Sequence, residues 1–124
     1  MKCKFKGRDE YLGIDSTKTP GGIHRFETMD VEQAQKCLAE GWMDPDDSQN
    51  ASPTNQDMVD FIKANPAFRL HGYIVSTTRD DARISIEGVS SVVKPTRKQL
   101  LAFVDMFRCA DDFDMVHPCY AWFD

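Results

Sequence analysis

The chain has 124 residues, 41% hydrophobic and 28% charged, with a formal net charge of −5. That length suits a single folded unit, residues 1–124, with a core of its own, and the composition excludes a disordered chain. The acidic balance argues against a nucleic-acid-binding surface, and no apolar run reaches the ~18–20 residues that cross a bilayer, so neither nucleic acid nor membrane is an expected partner.

At the start, Met1, Cys3 and Phe5 alternate with Lys2, Lys4 and Lys6, a period-two pattern that predicts an edge strand with a repelling lysine row. No apolar segment follows the basic start, so it does not read as an export signal. The expected compartment is cytoplasmic, where Cys3, Cys37, Cys109 and Cys119 are free thiols. Residues 10–14 suggest a short return strand, Thr19-Pro20-Gly21-Gly22 a turn, and residues 23–27 a further strand.

A first helix is predicted from Asp30, its N-cap, with Gln33 at the capping-box position and Val31, Ala34 and Leu38 on one face. Gly41 stops it. Residues 44–53 are a polar loop, and a second helix follows Thr54, with Asp57 as its capping-box partner, and ends before Pro66.

Residues 69–77 and 83–90 form a predicted hairpin. Pairing Gly72 with Gly88 would set Ile74 opposite Ile86 and leave a flat spot for a helix. The other face would then carry His71, Tyr73, Val75, Glu87 and Val89, and a one-residue slip would reverse the faces. Thr96 and Gln99 predict a capping box for a third helix to about Cys109, with Leu100, Phe103, Val104 and Phe107 on its apolar stripe. Residues 113–123 read as a closing strand, in which Pro118 marks an edge, a bulge or a break.

The whole reads as an α+β fold: an antiparallel sheet with helices packed on one face, in the ferredoxin-like β-α-β-β-α-β order with an extra N-terminal strand. No residue pattern names a reaction, and no cofactor is implied. Cys109, His117 and Cys119 are zinc-ligand types, and a small enzyme or zinc-binding domain centred on them is one alternative, although no Cys-x-x-Cys knuckle supports it. As a Cys–His nucleophile pair they are handicapped, because Cys109 sits at a helix C-terminus, where the dipole opposes a thiolate. Asp44, Asp46 and Asp47 lack the Gly and Glu of a calcium loop, whose places hold Gln49 and Asn55. Asp80-Asp81 and Asp111-Asp112-Phe113-Asp114 read as turns. Residues 83–90 lack the aromatic pattern of an RNA-binding sheet.

Strand alternation puts Tyr120 and Trp122 on one face and Phe123 on the other. With helices on one side only, one of these sets looks away from the core. The leading expectation is therefore a protein-binding or self-associating module whose open sheet face, carrying His71, Tyr73, Val75, Tyr120 and Trp122, meets a protein partner or a second copy in a homodimer. A further alternative is an acidic inhibitor that competes with nucleic acid for a basic partner.

Overall fold

The computed structural model describes residues 2–124, with side chains from Lys4 onward. It is an α+β structure with one antiparallel sheet. Strands β1 (Ile23–Met29), β2 (Phe68–Val75), β3 (Arg83–Ser91), β4 (Asp112–Asp114) and β5 (Tyr120–Trp122) lie in the order β1-β2-β3-β5-β4. The helices are α1 (Arg8–Leu12), α2 (Val31–Ala39), α3 (Asn55–Ala64) and α4 (Arg97–Phe107). Among the described residues no helix is long and apolar enough to cross a membrane.

The N-terminal strand expected over residues 1–6 is not formed. Lys2–Phe5 is a short 3-10 helix, and the return strand expected at 10–14 falls largely in α1, which Gly7 (φ 85°) and Gly13 (φ 73°) bound with left-handed backbone. Met1 lies outside the described residues. Alternation over six residues is weak evidence of a strand; the fully buried Arg8 organises this segment instead, its guanidinium over the Phe5 ring at 5.0 Å and bonded to Ser16 Oγ.

The helix starts follow local chemistry. Asp30 with Gln33 and Thr54 with Asp57 both close complete capping boxes. At α4 the box is half made: Thr96 accepts from the Gln99 N–H, but the Gln99 amide oxygen accepts from the Ala67 N–H instead, tying α4 to the start of β2.

The strand–helix–strand–strand–helix–strand order along the chain is present, with the first helix doubled and the last strand divided. Its spatial arrangement departs from the ferredoxin-like one. A single crossover helix would return the chain for a parallel strand. Two helical passes, α2 then α3, bring it back to the end it left, so β2 pairs directly beside β1, antiparallel, with Met29 opposite Leu70. β1 is thus an edge. A split β-α-β unit occurs once: β3 and β4 are parallel, α4 connects them, and β5 fills the gap. The chain breaks after Asp114 and returns through a turn containing the cis His117–Pro118 bond, so residues 113–123 form a hairpin and not one strand.

The β2–β3 register also departs from the Gly72–Gly88 pairing. Ile74 faces Ile84, Gly72 faces Ile86, and His71 faces Gly88, with a bulge that places Glu87 as an additional residue. One extra residue shifts the alternation, so Ile86 and Val89 both point to the helices, and Val89, expected on the opposite face, is fully buried in the core. A Cβ on Gly72 would meet Ser85 O at 2.0 Å, and one on Gly88 would meet Ala121 O at 1.8 Å. These glycines admit neighbouring backbone, not a helix.

The core is an aromatic stack beneath α3 and α4. Phe68 stacks on Phe103 at 5.0 Å, Phe103 on Phe113 at 5.0 Å, and Phe61 meets Phe68 and Phe107 edge-on. Phe123 is buried among them, while Tyr120 and Trp122, flanking the core-facing Ala121, point to the other side of the sheet.

Candidate aromatic and acidic cleft on the sheet

On the side away from α3 and α4, the sheet presents Arg25 and Glu27 from β1, His71 and Tyr73 from β2, Glu87 and Ser90 from β3, and Tyr120 and Trp122 from β5, with Asp112 and Asp114 paired opposite Trp122 and Tyr120. The structure thus brings His71, Tyr73, Tyr120 and Trp122 to one face. It does not leave all of them open.

Val75 is fully buried, outside the accessible part of that face. Tyr73 is half-buried, and its hydroxyl is held within the molecule: the Arg83 guanidinium donates to it at 3.1 Å and lies 5.6 Å from its ring, and the polar Ser85 and Gln49 side chains lie near it. Burial pushes the Tyr73 hydroxyl up, but these polar neighbours outweigh it and hold the pKa below the usual phenol value. That part of the face, with Val75 buried and the Tyr73 hydroxyl engaged by Arg83, is therefore taken up by the protein's own side chains.

Another part of the face holds a cleft of about 220 Å³ lined by Arg25, Phe26, Glu27, His71, Ser90 and Tyr120. His71 forms its floor. The ring, only 6% exposed, crosses over Gly88, whose missing side chain leaves the space: a Cβ there would sit 2.9 Å from His71 Cε1. His71 Nε2 lies 3.0 Å from Ala121 O; a carbonyl only accepts, so this nitrogen carries the hydrogen. The ring stacks on Tyr120 at 4.9 Å with 7° between planes. Burial lowers the His71 pKa, although the Ala121 carbonyl and the Glu87 carboxylate oppose it. His71 is thus a fixed neutral platform beneath Tyr120.

Glu27 and Arg25 line the cleft beside that platform, and Glu87 and Asp112 lie near it. Burial, then Asp112 and Glu87, raise the Tyr120 hydroxyl above its usual value; Glu27 adds to this and Arg25 opposes it. Three acidic groups therefore sense the ring against one guanidinium. Arg25, itself largely exposed, is ion-paired with the nearly buried Glu87. The cleft is smaller than the ~300–1,000 Å³ of sites for drug-sized ligands, so it suits one side chain better than a cofactor.

The thiol and imidazole group is not assembled. Cys109 is exposed after the end of α4. His117 and Cys119 were expected on one strand and lie in the β4–β5 turn: Ser91 Oγ bonds His117 Nδ1 at 2.7 Å and accepts the Cys119 N–H at 2.7 Å, while the buried Cys119 thiol donates to Met115 O. Among the described residues no three His, Cys, Asp or Glu side chains converge on a metal position. The acidic turns are occupied locally: Asp81 by Arg79 and Arg83, Asp44 by the Asp46 N–H, and Asp111 by the Asp124 N–H.

Sequence reasoning located His71, Glu87 and Tyr120 but missed Arg25, Glu27, Ser90 and Asp112. The available signal was the Arg-Phe-Glu alternation at 25–27, which sets two opposite charges on one side of a strand. No protein-family model matches the chain, and no curated protein or solved structure matches it.

Proposed function

We propose that this chain is a protein-binding module that receives a basic side chain of a partner protein in the cleft over Tyr120 and His71. The observation that supports it is an immobilised π face at a cleft of side-chain size that Glu27 lines, with Asp112 and the ion-paired Glu87 near enough to raise the Tyr120 hydroxyl. A Lys or Arg head there gains a ring face, worth ~0.5–1 kcal/mol in partly exposed settings, and charge-assisted bonds to Glu27 or Asp112. Preorganisation favours the reading: the His71–Ala121 bond and the stack hold the Tyr120 ring before any partner arrives, so little side-chain entropy is lost on binding. The acidic surround also favours a basic partner over nucleic acid, whose phosphates it repels.

The test is a titration of isotope-labelled protein with acetyl-arginine amide and, separately, acetyl-glutamate amide. The reading expects shifts confined to residues 25–27, 71, 112 and 120–122 with the arginine probe alone. These should weaken in Tyr120→Ala and Asp112→Asn and shrink with added salt. Equal responses to both probes, or shifts scattered over the surface, contradict it.

A further inference from the structure

β1 is the longer of the two sheet edges, Ile23–Met29 against the three residues of β4. Its inner side is paired with β2 from Ile23–Val75 to Met29–Leu70. Among the described residues no backbone group outside the sheet bonds residues 23–29, so the outer side carries a row of N–H and C=O groups open to pairing. Such an edge is a template for another strand unless charge, proline or a bulge blunts it. β1 has a bulge after Phe26 and two exposed charges, Arg25 and Glu27, but the charges are of opposite sign and two residues apart on the same face of the sheet.

That spacing is self-complementary. Two antiparallel copies related by a two-fold axis normal to the sheet keep their faces aligned, so the axis must lie between the strands, level with one residue of β1 that stands opposite its own copy. With the axis at Arg25, like guanidiniums oppose each other; at Glu27, like carboxylates do. With the axis at Phe26, Arg25 of each copy stands opposite Glu27 of the other, twice over, and opposite-charge cross-strand pairs stabilise a ladder while like charges destabilise it. The half-buried Phe26 side chain points to the helix side, into a cleft of about 250 Å³ also lined by Leu12, Ile14, His24 and Gln33, and a facing Phe26 would cover it. The bulge after Phe26 raises the local twist and confines the pairing to a short stretch around the axis.

We propose that two copies of this chain join edge to edge through β1, antiparallel about a two-fold axis at Phe26, doubling the five-stranded sheet. The occupant of the edge is a second copy because the charge pattern of 25–27 answers itself in this register. The dimer does not require the cation receptor, but it shares Arg25 and Glu27 with the cleft, so where both form Asp112 is left to meet the cation. If both hold, the assembly presents two clefts on one face, each bounded by Arg25 and Glu27 next to the axis.

Sedimentation equilibrium over a concentration series tests it. The wild-type chain should pass from 14.1 kDa towards twice that mass as concentration rises. Arg25→Glu alone sets four carboxylates at the axis, and Glu27→Arg alone sets four guanidiniums; each should weaken association by roughly tenfold or more. Mixed one to one, the two variants restore both opposite-charge pairs and should associate with each other about as tightly as the wild type. Arg25 also pairs with Glu87, so circular dichroism must show each variant folded, and Glu27→Arg, which leaves that ion pair intact, serves as the second variant. A wild-type chain that stays at 14.1 kDa up to about 1 mM overturns the proposal. So do single variants that associate as the wild type does, or a mixture that fails to recover.

Discussion

Replacing Gly88 by alanine should be among the most damaging single-methyl additions in the molecule. The new Cβ would lie 1.8 Å from Ala121 O and 2.9 Å from His71 Cε1. The first contact is with backbone and cannot be relieved by a rotamer; it forces β5 away from β3. The second lifts His71, so the buried Nε2 loses Ala121 O, its acceptor. Overpacking costs ~1–3 kcal/mol, and a buried polar group left unpaired adds ~1–3. The expected loss is about 3–5 kcal/mol, a large share of the ~5–15 kcal/mol that holds an ordinary domain. With a urea slope of ~1–3 kcal/mol/M, the unfolding midpoint should fall by about 2 M. Gly13→Ala is the control: its Cβ meets nothing, and only the φ of +73° penalises it, by about 1 kcal/mol. Urea unfolding followed by far-ultraviolet circular dichroism makes the comparison. A Gly88→Ala midpoint equal to that of Gly13→Ala would refute the close packing of β3, β5 and the His71 ring.

Further outcomes follow from the same contacts. Gln99→Ala should cost ~1–3 kcal/mol in chemical unfolding, more than an exposed mid-helix substitution, because it strips the acceptor from the buried Ala67 N–H. Arg8→Ala should lose ~2–4 kcal/mol through the emptied volume and the lost bonds to Asp9 and Ser16. Arg8→Met, which keeps the apolar stem and removes the Nη1 that has no partner among the described residues, should lose less than half of that. His71 is held neutral by burial, with its pKa below 6.5, so the unfolded chain binds its proton first on acidification. The stability it contributes is complete above pH 6.5 and is lost as pH falls through the lowered value, by at most ~1.4 kcal/mol per unit. His71→Asn should lack that slope when unfolding free energies are compared between pH 7.5 and pH 5; an identical slope in both proteins contradicts a buried neutral imidazole.

What could be read from the sequence was what local chemistry decides. The caps at Asp30, Thr54 and Thr96 rest on neighbours three residues away and are all present. The separation of Tyr120 and Trp122 from Phe123 needs only the pleat. What failed depended on distant groups. The bulge at Glu87 shifts the face of Val89, and nothing in Arg-Ile-Ser-Ile-Glu-Gly-Val announces it except Gly88, whose purpose is set by His71 and Ala121. Both helices before the hairpin were legible, but that their two passes return the chain beside β1 and leave β1 at the edge depends on how they pack, which no local pattern records. The first residues alternate like a strand, yet the burial of Arg8 folds them otherwise. Half of the cleft was legible because His71 and Tyr120 sit on recognisable strands; Arg25, Glu27 and Asp112 join it only through the strand order.

The function proposed for this chain rests on the Tyr120 ring receiving a cation. The most direct measurement is the pKa of the Tyr120 hydroxyl, followed by ultraviolet titration against Tyr120→Phe, with and without saturating acetyl-arginine amide. A value above 10.0 in the free protein that falls when the arginine probe is present is the expected result, since a bound guanidinium offsets the field of Asp112, Glu87 and Glu27. A value that the probe leaves unmoved would place the cation elsewhere and contradict the account.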